Sequence, residues 1–159
     1  MGSEIERKFL VSGTAWKAAA SGLRLRQGYL SLDKERTVRI RVAGDAAWLT
    51  IKGLTRGYTR VEFEYPIPTA EARQMLDALC IQPVIDKTRY PINHGEHLWE
   101  VDEFHGVNEG LVVAEIELRH ADETFERPAW LGAEVSGDPR YYNASLVRHP
   151  FRDWDRAAS

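Results

Sequence analysis

Apolar and polar residues alternate with a period of two along most of the chain, a pattern typical of β-strands with two different faces. In residues 37–43, for example, Arg39 and Arg41 share one face and three aliphatic side chains share the other. The alternating segments are separated by short turns rich in glycine, asparagine and aspartate, which predicts an antiparallel arrangement. Strands are predicted over residues 4–11, 24–32, 37–43, 47–52, 58–65, 84–90, 98–104 and 111–118.

A second pattern, with helical spacing, interrupts the strands. Apolar residues recur at helical spacing up to Cys80, and Thr69 upstream of them is the predicted N-cap of this helix. Shorter helices are predicted over residues 122–126 and 138–147, the second of them capped by Asp138. We therefore expect a mainly β protein of the α+β class, with a few helices.

The amino-acid composition predicts the number of domains and the cellular location of the protein. The chain has 159 residues, 43% hydrophobic and 28% charged, which predicts one globular domain over residues 1–159. No apolar run approaches the roughly 20 residues of a membrane span, and the N-terminal residues lack the features of a secretory signal. With a single cysteine, the chain has no internal disulfide. We expect a cytoplasmic protein without a membrane partner, and the net charge of −3 disfavours nucleic acid as a partner.

Six of the predicted strands carry two charged residues of the same sign on one face, two positions apart. The pairs are Glu4/Glu6, Arg39/Arg41, Glu62/Glu64, Lys87/Arg89, Glu100/Asp102 and Glu115/Glu117. One such pair alone is typical of a solvated strand face, but a face built only for solubility tends to mix the two signs. We interpret the whole set as carboxylates gathered for cations and bases gathered for anions.

The charged face is predicted to be the inner face of a barrel. A sheet of about eight antiparallel strands can close into a barrel whose interior holds side chains or one small ligand. Because an isolated buried charge costs several kcal/mol or more, such an interior must hold water and ions. Clustered glutamate oxygens favour Mg²⁺ or Mn²⁺, while arginine and lysine suit phosphate oxygens. Together they predict a site for a metal ion and an oligophosphate.

The opening motif, Glu4-Ile5-Glu6-Arg7-Lys8, resembles the E-x-E-x-K signature of the CYTH superfamily, also called triphosphate tunnel metalloenzymes. Further segments resemble the family in the same order along almost the whole chain. They are Gln27-Gly28-Tyr29-Leu30, Val38-Arg39-Ile40-Arg41, Leu49-Thr50-Ile51-Lys52, Glu62-Phe63-Glu64, Lys87-Thr88-Arg89-Tyr90, Trp99-Glu100-Val101-Asp102-Glu103-Phe104, Ala114-Glu115-Ile116-Glu117-Leu118 and Tyr141-Tyr142-Asn143-Ala144-Ser145-Leu146. A single E-x-E-x-K is a weak signal, whereas the ordered set is specific.

The resemblance implies a closed eight-stranded antiparallel barrel, forming a tunnel that binds a divalent metal and a triphosphate. The main metal-binding residues that it implies are Glu4, Glu6, Glu115 and Glu117. The residues that it implies for a second metal, or for orienting water, are Glu62, Glu64 and Asp102. The residues that it implies for binding the phosphate chain are Lys8, Arg39, Arg41, Lys52, Arg60, Lys87 and Arg89. Lys8 is also a candidate for positioning the attacking water. Tyr29 is a candidate for a catalytic hydroxyl, with packing as an equal alternative.

The motifs are most similar to those of family members that cleave inorganic tripolyphosphate. The resemblance therefore implies metal-dependent hydrolysis of the terminal phosphate of tripolyphosphate, with Mg²⁺ or Mn²⁺ as the cofactor. Thiamine triphosphatase, nucleoside triphosphatase and adenylyl cyclase activities at the same site are alternatives. An alternative of another class is a polyphosphate- or nucleotide-binding module without turnover, although the bases alone would serve binding. The oligomeric state is left open between a monomer and a homodimer.

Overall fold

The computed structural model describes residues 2–154, so residue 1 and residues 155–159 of the predicted domain lie outside the described part. The strands are β1 (Gly2–Val11), β2 (Leu23–Ser31), β3 (Thr37–Ala43), β4 (Ala46–Lys52), β5 (Thr59–Pro66), β6 (Ile81–His94), β7 (His97–Phe104), β8 (Val112–Leu118) and β9 (Leu131–Glu134). Eight of them close an antiparallel barrel in the order β1-β5-β4-β3-β2-β6-β7-β8 and back to β1. The ninth, β9, pairs with the C-terminal part of β1. The predicted closed eight-stranded barrel is confirmed.

Every predicted strand has a counterpart in the barrel, with boundaries that shift by no more than four residues. Strand β9 was not predicted because its four residues are too few to show an alternation. The helix predicted over residues 122–126 is wrong, since this segment consists of turn and irregular backbone. There the Glu123 carboxylate accepts a hydrogen bond from the backbone N–H of Arg119 at 2.6 Å and contacts the His97 ring at 2.7 Å. A side chain bonded to local backbone in this way favours a turn over a helix.

The main helix, α1 (Thr69–Ala78), begins at the residue that was predicted to be its cap. Pro68 occupies the N-cap position, and the Thr69 hydroxyl donates to the backbone oxygen of Asp45 at 2.6 Å. Thr69 therefore ties the helix to the turn between β3 and β4 instead of capping it. On the other side of the helix, Leu76 is fully buried in a cluster with Ile40 of β3.

The helix predicted over residues 138–147 is broken into two pieces. Asp138 caps the first, accepting a hydrogen bond from the backbone N–H of Arg140 at 3.0 Å, but this piece is only a 3₁₀ turn. Tyr142 is extended, and a second helix, α2 (Asn143–Arg148), follows it. The break lets α2 turn back onto β6 of the barrel.

Hydrophobic side chains pack around the outside of the barrel and also fill part of its inside. One cluster surrounds Trp99 on the outer face, and another lies under α1. A third lies inside, because Ile85 is on the same strand face as Lys87 and packs with the buried Leu146 of α2. This third cluster therefore closes one end of the charged interior, and we call it the apolar plug. Its residues are Tyr29, Ile85, Phe104, Leu111, Val113, Leu146 and Val147. Within residues 2–154, no helix has the length and apolarity that a membrane span requires.

Candidate active site

A cavity of about 890 Å³ lies inside the barrel, and all eight barrel strands contribute side chains to its wall. The predicted site residues that line it are Glu4, Glu6, Lys8, Tyr29, Arg39, Arg41, Lys52, Arg60, Glu62, Glu64, Lys87, Arg89, Glu115 and Glu117. Strand alternation explains this convergence, because every second residue of a closed barrel faces the interior. The structure thus brings the predicted acids and bases together around one space, and their individual roles stay predictions.

Asp102 is the predicted site residue that does not line the cavity. It is 1% exposed and accepts hydrogen bonds at 2.8 Å from Lys87 Nζ and, through both of its oxygens, from the Arg89 guanidinium. Burial raises the pKa of Asp102, but Lys87 and Arg89 outweigh burial, and the pKa is lowered overall. Both oxygens of Asp102 are occupied by cations, so its role as a metal ligand, which stays a prediction, would require one of these contacts to open. Asp102 fixes the positions of Lys87 and Arg89 through these hydrogen bonds.

Lys87 is the most enclosed of the bases, with 1% of its surface exposed. Burial lowers its pKa to about 7, with Arg89 and Arg41 adding to the effect and Asp102 opposing it. The pKa of Arg41 is also lowered, first by burial and then by its arginine neighbours. Such crowding of positive charge, with Asp102 as the buried acid beside it, is costly unless an anion enters the cavity.

Lys87, Arg89 and Arg41, with Asp102 beside them, form what we call the buried base cluster. Gln27 and Asn143 form hydrogen bonds within this cluster, and neither was predicted as a site residue. Arg41 Nε donates to Gln27 Oε1 at 2.8 Å, and Gln27 Nε2 donates to Asn143 Oδ1 at 3.0 Å. Lys87 Nζ donates to the same Asn143 oxygen at 2.9 Å. Both amides belong to segments that resemble the family, and this resemblance was the only indication in the sequence that they could be site residues. Their pairing across the barrel depends on α2 turning back onto β6.

Arg39 and Arg60 occupy another part of the wall. One guanidinium nitrogen of Arg39 lies 3.2 Å from Thr50 Oγ1 and 3.5 Å from Glu64 Oε2, while its buried Nε has no hydrogen-bond partner within residues 2–154. The Arg60 guanidinium donates to Gly53 O at 2.6 Å and to Thr37 Oγ1 at 3.0 Å. Arg39 lines the cavity, so the remainder of its guanidinium can contact a bound anion, whereas its Nε is sealed within the protein.

The carboxylate cluster consists of Glu4, Glu6, Glu115 and Glu117, contributed by the adjacent strands β1 and β8. Glu6 lies directly across from Glu117 in the strand register, an arrangement of like charges that is destabilising on its own. Burial raises the pKa of Glu6 to about 8, and the charge of Glu115 adds to this effect. The pKa of Glu117 is raised too, by burial and by nearby carboxylates.

Two lysines lie among the carboxylates. Lys52 Nζ donates to Glu4 Oε1 at 2.5 Å and lies 3.7 Å from Glu62 Oε1. Lys8 Nζ lies 4.0 Å from Glu115 Oε1. Burial lowers the pKa of Lys8, but Glu115 and Glu6 outweigh burial and raise the pKa overall. Lys8 is therefore a buried, charged donor between the acids and the bases.

The chemistry of the carboxylate cluster fits a divalent cation that is only partly held by protein. Within residues 2–154, no three acidic, histidine or cysteine side chains lie close enough together to form a complete metal site. Mg²⁺ commonly takes one or two carboxylates and completes its shell with water and substrate phosphates. Burial first, and then the charge of Glu115, raises the pKa of Glu6, and a cation bound beside this carboxylate would oppose both effects. These residues therefore fit the implied metal.

The fold and the site together define a closed β-barrel whose interior is lined by both acids and bases, as in the triphosphate tunnel class. Residues 2–149 match the model of the CYTH domain, and the chain belongs to this family. The family predicted from the motifs is thereby confirmed. Enzymes of this family generally depend on a divalent metal.

Two curated relatives span nearly the same length as this chain. A protein of Acetivibrio thermocellus named inorganic triphosphatase is 51% identical over 154 residues, covering 97% of this chain and 99% of its own. A Nitrosomonas europaea protein of the same name is 35% identical over 150 residues, covering 91% and 97%.

Solved structures show the same architecture. The crystal structure of an inorganic triphosphatase is 31% identical, with a TM-score of 0.62, and the match covers 90% of this chain and 96% of that one. A Pyrococcus horikoshii protein, at 19% identity and a TM-score of 0.58, matches 75% of this chain and 80% of its own, and it shares the fold alone.

Proposed function

We propose that the protein hydrolyses the terminal phosphate of inorganic tripolyphosphate in the barrel cavity, giving pyrophosphate and orthophosphate. The observation that carries the proposal is that the seven predicted basic side chains and the carboxylate cluster surround one cavity of about 890 Å³. Near full-length relatives named inorganic triphosphatase support the choice of substrate. A binding module would need only the bases, so the carboxylates favour an enzyme.

The bases bind the phosphate chain. Arg39 lines the cavity, while Arg89 and Lys87 are held by Asp102 with donors left over for the cavity. Arginine forks and lysine ammonium groups suit phosphate oxygens, and charge-assisted hydrogen bonds of this kind are stronger than neutral ones. Because these groups are fixed before substrate arrives, they can stabilise the charge of the transferring phosphoryl group without reorganisation.

The proposed cofactor is Mg²⁺ or Mn²⁺, for which the carboxylate cluster of Glu4, Glu6, Glu115 and Glu117 would supply one or two ligands and leave the rest to water and phosphate. When bound, such an ion neutralises negative charge on the phosphate oxygens. Glutamate oxygens without histidine or cysteine favour these two ions over zinc. A bound cation would offset the repulsion between Glu6 of β1 and Glu117 of β8, which lie opposite one another.

The attacking water needs a donor and an acceptor to orient it. Lys8 keeps its positive charge, so it can donate to a water or to a phosphate oxygen but cannot accept a proton. Glu64 is already engaged by Thr50 at 2.8 Å, whereas Glu62 has Lys52 at 3.7 Å as its ion-pair partner. Glu62 is thus the freer carboxylate and the one that we propose to accept the proton of the water. Tyr29 is 4% exposed, and its hydroxyl lies 3.4 Å from Gln27, which fits a packing role better than a catalytic one.

The test is colorimetric phosphate release from tripolyphosphate, ATP and thiamine triphosphate, each with Mg²⁺, Mn²⁺ or EDTA. We expect metal-dependent release with the highest kcat/KM for tripolyphosphate. A preference for ATP or thiamine triphosphate would select one of the alternative triphosphatases, and cyclic AMP formation would select a cyclase. Thermal stabilisation by tripolyphosphate without any release would indicate a binding module. The cytoplasmic location and the monomeric or homodimeric state stay predictions.

A further inference from the structure

Asn143, the first residue of α2, has an orientation that its neighbours determine. Its side-chain oxygen accepts hydrogen bonds from Lys87 Nζ at 2.9 Å and from Gln27 Nε2 at 3.0 Å. A lysine ammonium has donors and no acceptor, so the amide atom that faces Lys87 must be the oxygen. The usual ambiguity between the oxygen and the nitrogen of an asparagine is thereby removed.

Gln27 is fixed in the same way from its other end. Arg41 Nε donates to Gln27 Oε1 at 2.8 Å, and a guanidinium also has only donors. The Gln27 oxygen must therefore face Arg41, which leaves its nitrogen facing Asn143. Two cations thus orient two amides in series, and the last nitrogen of the series is Nδ2 of Asn143.

This Nδ2 makes no hydrogen bond to any atom of residues 2–154, and it is not sealed within protein. Asn143 lines the cavity together with Lys8, Arg41 and Lys87, all of which carry donors only. The two N–H groups of Asn143 therefore need an acceptor, and these neighbours supply none. A phosphate oxygen, which only accepts hydrogen bonds when ionised, is the complementary group.

We infer that Asn143 is a substrate-binding residue, donating from Nδ2 to an oxygen of the phosphate that lies deepest in the cavity. The depth follows from α2, whose Leu146 and Val147 belong to the apolar plug that closes this end. The site therefore selects a chain with an unsubstituted terminal phosphate at its inner end, with any further group toward the open end. The inference rests on the proposed function for the identity of the anion.

The experiment measures binding of tripolyphosphate by calorimetry in EDTA, where no metal-dependent turnover interferes. The Asn143→Asp variant keeps an acceptor for Lys87 and Gln27 but loses the donor. Ser145→Asp adds the same charge to the same cavity wall and reports the electrostatic effect alone. Asn93→Asp makes the same chemical change at an exposed position of the β6–β7 hairpin and serves as the surface control. Asn143→Ala removes both functions without adding charge.

We expect Asn143→Asp to weaken binding about tenfold or more beyond Ser145→Asp, because a hydrogen bond to a charged group is lost. Asn143→Ala should also weaken binding, and Asn93→Asp should match the wild type. The inference is overturned if Asn143→Asp binds no more weakly than Ser145→Asp, or if Asn143→Ala binds like the wild type. Thermal melting shows whether each variant folds. If the wild type itself binds no tripolyphosphate, with EDTA or with Mg²⁺, the proposed function fails instead.

Discussion

The buried base cluster and the carboxylate cluster lie in the same cavity but are completed in different ways. In the base cluster, Asp102 engages Lys87 and Arg89 at 2.8 Å, and Gln27 engages Arg41 at the same distance. In the carboxylate cluster, like charges face one another. The protein alone therefore fixes the bases in place, whereas we propose that a cation completes the carboxylate cluster.

This difference shows how a small barrel can hold many charges inside and still fold. Each buried base has a neutral or acidic partner that fixes it before substrate arrives, which preorganises the site. The acids share Lys8 and Lys52 as internal counterions, at 4.0 Å from Glu115 and 2.5 Å from Glu4.

The largest effect is expected from Glu6→Gln, which removes a carboxylate from the unbalanced cluster. Turnover with Mg²⁺ should fall about 100-fold or more, because charge compensation of the phosphates is lost. The metal-free protein should melt no earlier than the wild type, since a like-charge repulsion is relieved. Steady-state kinetics and thermal melting in EDTA test both parts. Glu71→Gln, on the exposed side of α1, is the matched control. Near-normal activity in Glu6→Gln would remove Glu6 from the metal site.

A second variant, Asp102→Asn, removes the negative charge that fixes Lys87 and Arg89 in the buried base cluster. Removing one partner from a buried ion pair costs about 3–5 kcal/mol, so the free energy of unfolding should fall by about that amount. The value of kcat/KM for tripolyphosphate should fall about tenfold or more as Lys87 and Arg89 lose their positions. Denaturant unfolding is the readout, with Asp86→Asn as the comparison, because the Asp86 pair with Arg24 lies at the surface and should contribute about 1 kcal/mol or less. Equal losses for the two variants would contradict the distinction.

Arg39→Ala should give a smaller, mainly binding effect. We expect the KM for tripolyphosphate to rise about tenfold, with a lesser fall in kcat, because one charge-assisted contact is lost. Kinetics with Arg24→Ala, a change in the same residue type on the outer surface, provide the baseline. A purely structural Arg39 would lower the melting temperature and leave the KM unchanged.

The last prediction concerns the pH dependence of stability in the metal-free protein. The pKa of Glu6 is raised from 4.5 to about 8 in the folded state, so the folded protein binds a proton that the unfolded chain releases. The stability from this group is complete below about pH 4.5 and is lost as pH rises toward 8. The melting temperature of wild type relative to Glu6→Gln, measured in EDTA, should therefore decrease by about ten degrees between pH 5 and pH 8. The same difference at both pH values would show that Glu6 is not desolvated as described.

Strand alternation carries much of the fold and of the cavity wall, because in a closed barrel the parity of a residue decides whether it faces inward. Lys87 and Arg89 were placed correctly on this basis alone. Parity does not say which neighbours share a depth in the barrel, so it could not predict that Asp102 contacts both Lys87 and Arg89. Asn143 escaped prediction because its contacts depend on Tyr142 breaking a helix that the sequence pattern made continuous.

The most direct test of the central proposal follows the phosphorus atoms themselves. Tripolyphosphate incubated with the protein and Mg²⁺ is monitored by ³¹P NMR, with an EDTA-treated sample beside it. Cleavage of a terminal bond by water predicts orthophosphate and pyrophosphate appearing together in equal amounts, and an unchanged spectrum in EDTA. A spectrum that stays unchanged with Mg²⁺ and with Mn²⁺ would contradict the account.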